Sequence, residues 1–460
     1  MENSPFQNLL NLGDFDQKYE PTKEQKNCAE KCYKGLISKL TASAEKVYGI
    51  HTGYGSNVTS NRDPKDWMNA QQDLLAYLLV GVGEHLSETV VRRALRLQLD
   101  KAYLGFSGIH PETLEHLTSI SNGKVLPSVP CFGSLGASGD LIPMAHAISP
   151  LFSEHSPRGP RDVIGLVNTN SMMVSYAAEL LQIVRAQWQL AHHITALIMA
   201  AVNAPLDPIT EDVVLLRPEG DHYRDSARLI RAELQSIDTR PESNRPFSSV
   251  QARYSIRCAP MILGNTLDLL NLAEKKILSD AHSVADNPVL VEKNDRLHVA
   301  HAGLFYAAAT ATAADLMSDA LGKICELLDR QVLILMDPLL SEGLPENLAV
   351  AGASHCKGLH QLTSALLQQL RTHSVPSRML SFSCEGNNQD VVPCAMAALN
   401  QLKSACTVAS ELTKASLFVA LRAYSIRTNT ALPSELHIAR WSEFQPKNAK
   451  LILSSLKFKN

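Results

Sequence analysis

Long stripes of apolar residues at helical spacing fill the second half of the chain and restrict its fold most strongly. The clearest stripe ends before Pro338 and runs through Ala313, Leu316, Ala320, Ile324, Leu327 and Leu335. Two others run through Leu359, Leu362, Leu366 and Leu370, and through Leu399, Leu402, Ala405, Ala409 and Leu412. Helices with such stripes must bury them against one another. We predict a mainly α fold with few short strands, in which a helix-and-loop domain over 1–165 precedes a long-helix bundle over 166–460.

Composition agrees with a helical core and narrows the possible partners. Aromatic residues make up only 5% of the 460-residue chain, so the core depends on Leu, Ala, Val and Ile, several of which favour helices. The formal net charge of -3 gives no basic excess for a phosphate backbone, and we expect no nucleic-acid partner. The nine cysteines follow no disulfide framework spacing. The acidic N-terminus does not resemble a signal peptide, and the apolar stretch over 194–205 is too short for a bilayer. We therefore expect a cytoplasmic protein without a membrane partner.

A run of small residues in the first half carries the most unusual chemical potential. Residues 133–145 read Gly-Ser-Leu-Gly-Ala-Ser-Gly-Asp-Leu-Ile-Pro-Met-Ala, a composition that lets the backbone fold back on itself. If the amide nitrogen of Gly139 attacks the carbonyl carbon of Ala137, and water is then lost there and from Ser138, a conjugated ring with an exocyclic methylene results. Ordinary side chains are not electrophilic, so such a ring would act as a built-in cofactor.

This run resembles the signature of the aromatic amino acid ammonia-lyase family, which includes histidine, phenylalanine and tyrosine lyases and related aminomutases. The resemblance covers residues from about 45 to about 400, with further segments in the same order. It implies a 4-methylidene-imidazol-5-one group formed autocatalytically from Ala137, Ser138 and Gly139, without a metal or nucleotide. It also implies a homotetramer whose active sites draw residues from several subunits.

Two segments resemble parts of the family's active site. In Tyr48-Gly-Ile-His-Thr-Gly-Tyr-Gly55 the leading Tyr48 corresponds to the base, and His51 falls in the predicted substrate pocket. A tyrosine has an ordinary pKa of about 10, so its phenolate needs local stabilisation, for which the N–H groups of this Gly-rich loop are suited. In Val250-Gln-Ala-Arg-Tyr-Ser-Ile-Arg-Cys-Ala-Pro260, Arg257 corresponds to the residue that binds the substrate carboxylate, and Tyr254 lies near the reacting amine.

The resemblance also assigns residues around the ring and the substrate side chain. Asn168 would hydrogen-bond the cofactor, Phe305 would pack near the reacting atoms, and Gln389 would orient the ring or the substrate. Tyr77 and Leu78, just before Gly81-Val82-Gly83, correspond to the pair that sets side-chain preference. Leu78 offers no hydrogen bond to an imidazole, so phenylalanine or tyrosine is favoured over histidine.

The sequence departs from the family pattern close to this predicted site. Thr169-Asn170-Ser171 follows Asn168 where the family has a Gly-Thr continuation, and Leu304 stands where an asparagine precedes the phenylalanine. Asp286-Asn287-Pro288 resembles a family segment but equally suits a structural helix–loop boundary. The predicted function is elimination of ammonia from an L-amino acid substrate, giving an α,β-unsaturated acid. The alternatives are a 2,3-aminomutase acting on an aromatic amino acid and a non-catalytic helical scaffold derived from the family.

Overall fold

Helices make up most of the computed structural model, which describes residues 4–43, 45–237, 248–294, 296–428 and 431–455. The prediction of a mainly α fold is confirmed. The helices in the first part of the chain are α1 (Pro5–Asn11), α2 (Lys23–Ala42), α3 (Trp67–Leu78), α4 (Glu88–Tyr103), α5 (Pro111–Ser121), α6 (Leu141–Glu154), α7 (Asp162–Val167) and α8 (Ser171–Ala201). They are followed by α9 (Glu211–Val214), α10 (His222–Ser236), α11 (Tyr254–Arg257), α12 (Ala259–Ala281), α13 (Ala308–Met336), α14 (Lys357–Thr372), α15 (Ala395–Arg427) and α16 (Ala449–Ser455).

The long helices of the second half follow the predicted stripes. Helix α13 ends at Met336, two residues before Pro338, whose ring cannot continue a helix. The predicted stripe of α15 is buried throughout its length. In α14 the buried positions are Leu359, Thr363, Leu367 and Leu370, so Leu362 and Leu366 flank the buried face instead of forming its centre. The predicted helices are confirmed, with this small rotation in α14.

Strands are few and short in the described residues, as predicted. Strand β1 (Val82–His85) pairs antiparallel with β2 (Pro130–Phe132). Strand β3 (Val289–Lys293) pairs antiparallel with β4 (Arg296–Ala300), with Val289 opposite Ala300 and Leu290 opposite Val299. Each pair forms its own two-stranded sheet, and packing against helices is what such small sheets need for stability.

The chain divides into two compact units, and both are built from separate stretches of sequence. The first unit comprises Met1–Leu181, Ala273–Asp315 and Pro376–Gln401, and the second comprises Gln182–Leu272, Leu316–Val375 and Leu402–Asn460. This division differs from the predicted boundary between residues 165 and 166. The changes from one unit to the other fall inside α8, α12, α13 and α15 or just after α14, so linker composition does not mark most of them.

Buried charged side chains connect the loops of the first unit to its helices through hydrogen bonds and an ion pair. Arg96 on α4 donates to the main-chain carbonyls of Leu12, Asp14 and Gln17 at 3.1, 2.8 and 2.6 Å. Arg161 forms a fully buried ion pair with Asp286 at 2.8 Å. A buried charge is tolerated when it is paired and hydrogen-bonded in this way. The second unit uses the same device at Arg422, which donates to the carbonyls of Leu348, Ala353 and Leu436 at 3.1, 3.1 and 3.0 Å.

Two further observations concern the whole of the described chain. All nine cysteines are free thiols. Among the described residues, every helix falls short of the combined length and apolarity that crossing a membrane requires.

Candidate active site

A large cavity in the first unit gathers most of the predicted site residues. Its volume is about 1070 Å³, and all three stretches of the unit contribute to its wall. The predicted residues on the wall are Tyr48, Tyr77, Leu78, Ala137, Ser138, Gly139, Asn168, Phe305 and Gln389. Residues distant in sequence therefore meet around one space, as expected for a substrate site.

The Gly- and Ser-rich loop forms a tight turn on this wall. Gly133, Gly136 and Gly139 all have positive φ, at 138°, 71° and 80°, a backbone region that glycine adopts without steric cost. A Cβ atom on Gly139 would lie only 2.3 Å from the main-chain oxygen of Thr169. That same oxygen accepts a hydrogen bond from the amide of Asp140 at 2.5 Å. The turn is therefore pressed directly against the backbone that follows Asn168.

Two amide side chains, one 30 and one 251 residues further along the chain, hold Ser138. The Nδ2 atom of Asn168 donates to the Ser138 carbonyl at 2.7 Å, and the Nε2 atom of Gln389 donates to the Ser138 hydroxyl at 2.8 Å. The Oδ1 atom of Asn168 is buried without a hydrogen-bond partner in the described residues. Asn168, predicted to hydrogen-bond the ring, and Gln389, predicted to orient the ring or the substrate, thus both contact Ser138.

Tyr48 lies on the cavity wall with its hydroxyl oxygen bound by the backbone. This oxygen accepts a hydrogen bond from the amide of Gly55 at 2.7 Å, the type of contact expected from the Gly-rich loop. Burial raises the pKa of Tyr48, the Gly55 hydrogen bond lowers it, and the charge of Glu385 raises it further. The net shift is upward, so one backbone donor does not offset the cost of burying a phenolate.

Glu385 is a carboxylate on the cavity wall that the sequence analysis did not single out. Its Oε1 atom accepts from the amide of Ser56 at 3.0 Å, and its Oε2 atom accepts from the Gln389 side chain at 3.2 Å. A Cβ atom at Gly55, where φ is 57°, would lie 1.6 Å from the Oε1 atom of Glu385, so a side chain there would displace this carboxylate. Glu385 therefore couples the Tyr48 loop to the amide that holds Ser138.

The two residues predicted to set the side-chain preference both lie on the cavity wall but differ in exposure. Leu78 is buried at the end of α3, whereas 54% of the Tyr77 side chain is exposed. Phe305 also reaches the wall, although Leu304 beside it is exposed. His51 does not line the cavity, because its Nδ1 atom accepts from the amide of Val47 at 3.0 Å within the preceding turn.

Tyr254 and Arg257 belong to the second unit, whereas the cavity wall is described from residues of the first unit. They form the ends of the short helix α11, where 69% of Tyr254 is exposed. The guanidinium carbon of Arg257 lies 4.6 Å from the centre of the Tyr254 ring, and its Nη1 atom donates to Gln251 at 2.7 Å. The structure therefore brings these two residues to each other.

The comparison with known families decides the class of this site. The family model for aromatic amino acid lyases matches residues 6–445. The chain belongs to the aromatic amino acid lyase family. Members are carbon–nitrogen lyases, and the prediction of an enzyme of this class is confirmed.

Individual relatives include both lyases and aminomutases. A histidine ammonia-lyase of Burkholderia multivorans is 29% identical over 422 residues, covering 86% of this chain and 82% of the relative. A tyrosine 2,3-aminomutase of Myxococcus fulvus is 28% identical over 401 residues, covering 78% and 76%. The solved structure of a phenylalanine aminomutase of Pantoea agglomerans superposes with a TM-score of 0.83 at 21% identity, covering 98% of this chain and 96% of that one. This last likeness concerns the fold alone.

The loop of this aromatic amino acid lyase fits the methylidene-imidazolone group that the family uses. Gly139 carries no side chain beside its nitrogen, and the Ala137 side chain packs into a small apolar cluster with Val392 and Cys394. Asn168 already donates through its Nδ2 atom to the Ser138 carbonyl, which would become part of the ring, while its Oδ1 atom is buried without a partner in the described residues. A buried acceptor without a donor is uncommon, and a donor on a molecule bound beside the ring would remove its cost.

The segment at Asp286 combines a buried ion pair with a place on the cavity wall. Asp286 is fully buried and pairs with Arg161, which also donates to the carbonyl of Pro288 at 3.1 Å. Asn287 reaches the cavity wall, while its Oδ1 atom accepts from the amide of Ala302 at 2.9 Å. Asp286 and Pro288 therefore have a structural role that supports the cavity.

Proposed function

We propose that this aromatic amino acid lyase eliminates ammonia from an L-amino acid, with phenylalanine or tyrosine favoured over histidine, to give an α,β-unsaturated acid. The observation that carries the proposal is the clamp on Ser138 by Asn168 and Gln389, in a cavity that also holds Tyr48 and Glu385. This arrangement combines ring-forming residues, a base and a carboxylate around one space. Free thiols throughout the chain suit a cytoplasmic enzyme.

Ala137, Ser138 and Gly139 would supply the cofactor by condensing with the loss of two waters. When formed, the methylidene-imidazolone group provides an electrophile for the substrate amine, which no unmodified side chain offers. Asn168 and Gln389 would hold the ring-forming residues in place through the contacts that they already make.

Two residues on the same cavity wall would accept the protons that the reaction releases. Tyr48 would take the β-proton at its hydroxyl oxygen, which the Gly55 amide already orients. Glu385 would bind the substrate ammonium and accept a proton from it, since a carboxylate in a cavity favours a nearby cation. Because Glu385 accepts from Gln389, it also orients the amide on Ser138.

The substrate carboxylate would be bound by Arg257, with Tyr254 near the amine, contributed by a neighbouring copy in a homotetramer. The 69% exposure of Tyr254, which leaves its ring available to another copy, supports a shared site. A mixing experiment tests this. Inactive Ser138→Ala and Arg257→Met proteins should regain activity when unfolded and refolded together, because hybrid tetramers contain some intact sites. Absence of recovery, with native-like tetramers formed, would argue against shared sites.

The preference for a phenylalanine or tyrosine side chain rests on Tyr77 and Leu78. Buried Leu78 cannot hydrogen-bond an imidazole, and an unpaired polar group in an apolar pocket is costly. The Tyr77 ring is suited to packing against an aromatic side chain. The test is a panel of L-amino acids monitored for the ultraviolet absorbance of an unsaturated acid, with a Ser138→Ala control. Turnover of L-histidine in preference to L-phenylalanine and L-tyrosine would refute this assignment.

A 2,3-aminomutase is the second candidate, because tyrosine and phenylalanine aminomutases are among the similar proteins. The same elimination begins both reactions, so chromatographic detection of a β-amino acid beside the unsaturated acid distinguishes them. An intact mass that never falls by two waters would favour the non-catalytic scaffold.

A further inference from the structure

A buried lysine contacts the segment that packs against residues 133–140, here called the cofactor-forming loop. This lysine has no part in the chemistry proposed above. Lys101, near the end of α4, is only 3% exposed. Its Nζ atom donates to the Oδ1 atom of Asn170 and, at 2.9 Å, to the main-chain carbonyl of Asp280. Burial lowers the pKa of Lys101 to about 8, while the charges of Asp280 and Asp140 raise it. Burying an ammonium costs free energy unless it is paired and hydrogen-bonded. The partners of Lys101 therefore indicate what this buried charge does.

Asn170 belongs to the segment against which the cofactor-forming loop is pressed. Residues 168–173, here called the template segment, contact the loop at several points. Asn168 donates to Ser138, and Thr169 accepts from the amide of Asp140. The Asp140 carboxylate in turn accepts from the amides of Met172 and Met173, at 2.6 and 3.2 Å. Asp140, the residue directly after Gly139, therefore locks the loop to the template segment.

Helix α4 holds the template segment at the positions where this chain departs from the family pattern. The Thr169 hydroxyl lies 2.8 Å from that of Ser171, which donates to the Oε1 atom of Gln98 at 3.0 Å. Lys101, one turn further along α4, reaches Asn170. The Nδ2 atom of Asn170 is buried without a partner in the described residues, so the contact with Lys101 anchors this side chain.

We propose that Lys101 is a positioning residue for cofactor formation: through Asn170 and its attraction to Asp140, it keeps the template segment where Gly139 can reach Ala137. The inference rests on the proposed self-formed cofactor. In that step the Gly139 nitrogen bonds to the Ala137 carbonyl carbon, and its proton moves to the carbonyl oxygen. The resulting hydroxyl leaves as water with the Ser138 amide proton. The Ser138 hydroxyl leaves as a second water with the Cα proton.

The ammonium acts on this step by fixing geometry. Without it, the Asp140 carboxylate loses a buried counter-charge and the Oδ1 atom of Asn170 loses its donor. Both changes weaken the contacts between the template segment and the cofactor-forming loop, and these contacts hold the loop in its turn. Intramolecular reactions depend steeply on alignment, and a displacement of about 1 Å can cost about 100-fold in rate.

The experiment follows the loss of two waters by intact mass in freshly purified protein and at intervals afterwards, together with the thermal midpoint. The variants are Lys101→Met, Asn170→Leu and the conservative Asn170→Asp. The control is Ser175→Ala, which removes a buried 2.8 Å hydrogen bond between α8 and the Val90 carbonyl of α4 without touching the template segment. We expect water loss to slow about tenfold or more in Lys101→Met and Asn170→Leu. It should stay near the parent rate in Asn170→Asp and Ser175→Ala.

The outcomes separate this inference from the function on which it rests. If the parent chain never loses two waters, the proposed cofactor itself is refuted. If the parent matures and both Lys101→Met and Asn170→Leu mature at its rate, Lys101 has no positioning role. Equal slowing in Ser175→Ala at a matched thermal midpoint would overturn the inference in favour of general destabilisation. If Lys101→Met does not fold, the contrast between Asn170→Leu and Asn170→Asp decides.

Discussion

Replacing Gly139 by alanine tests the contact between the cofactor-forming loop and the backbone after Asn168. The new Cβ atom would lie 2.3 Å from the Thr169 oxygen and 2.7 Å from its nitrogen, distances that real Cβ atoms do not adopt. The residue also has a φ of 80°, and a left-handed backbone costs a non-glycine residue about 1–2 kcal/mol. Overpacking against the Thr169 backbone adds about 1–3 kcal/mol. We therefore expect Gly139→Ala to lower the free energy of unfolding by about 2–5 kcal/mol.

The chain offers a matched control for the backbone contribution. Gly220 has nearly the same φ, 82°, but a Cβ atom there meets nothing within 4 Å. Gly220→Ala should therefore lower the free energy of unfolding by about 1–2 kcal/mol only. Both substitutions are made in a Ser138→Ala background, so that differences in ring formation do not enter the measurement.

Urea unfolding of the two variants and intact mass of the Gly139→Ala chain with Ser138 retained provide the assays. The decisive quantity is the excess destabilisation of Gly139→Ala over Gly220→Ala, which should be about 1–3 kcal/mol. In the chain that retains Ser138, Gly139→Ala should also prevent most of the two-water loss. Equal unfolding energies for the two variants, together with complete water loss, would refute the contact on which the turn depends.

Three further predictions concern the base, the support of the cavity and the substrate pocket. The raised pKa of Tyr48 means that the phenolate is the minor form at neutral pH. We therefore expect kcat/KM to rise about tenfold per pH unit below that pKa. Tyr48→Phe should abolish this pH dependence. Arg161→Met leaves Asp286 buried without its partner and should lower the free energy of unfolding by about 3–5 kcal/mol in urea, whereas Arg158→Met, whose ion pair is exposed, should cost under about 1 kcal/mol. A flat pH profile or equal losses would contradict these two expectations. Leu78→His should shift the ratio of kcat/KM for L-histidine over L-phenylalanine upward by about tenfold, and an unchanged ratio would remove Leu78 from the specificity pocket.

The features that depend on a local sequence pattern could be predicted from the sequence. The apolar stripe predicted α13 and its end before Pro338, because helical periodicity and proline act over a few residues. The glycines around Ser138 predicted a tight turn, and the structure gives them positive φ. The Gly-rich loop after Tyr48 suggested backbone donors, and Gly55 makes that contact.

Features created by distant contacts could not be predicted in the same way. Glu385 is one acid in a polar loop, and its importance arises from the Ser56 amide, 329 residues away. His51 shares a motif with Tyr48 but is turned aside by its bond to Val47, a detail of turn geometry. The unit boundaries within α8 and α15 have no signal in composition, because the helices continue across them.

The contact between Ser138 and Gln389 spans 251 positions of the chain, and this separation bears on when the proposed cofactor could form. A ribosome that has translated the Ala-Ser-Gly triplet has not yet made the amide that grips the serine hydroxyl. Prematurely terminated products ending before Gln389 would carry the triplet but lack that grip. If ring formation needs that contact, such fragments would keep an intact serine, and dehydration would record synthesis past Gln389, readable by mass on the peptide containing the triplet.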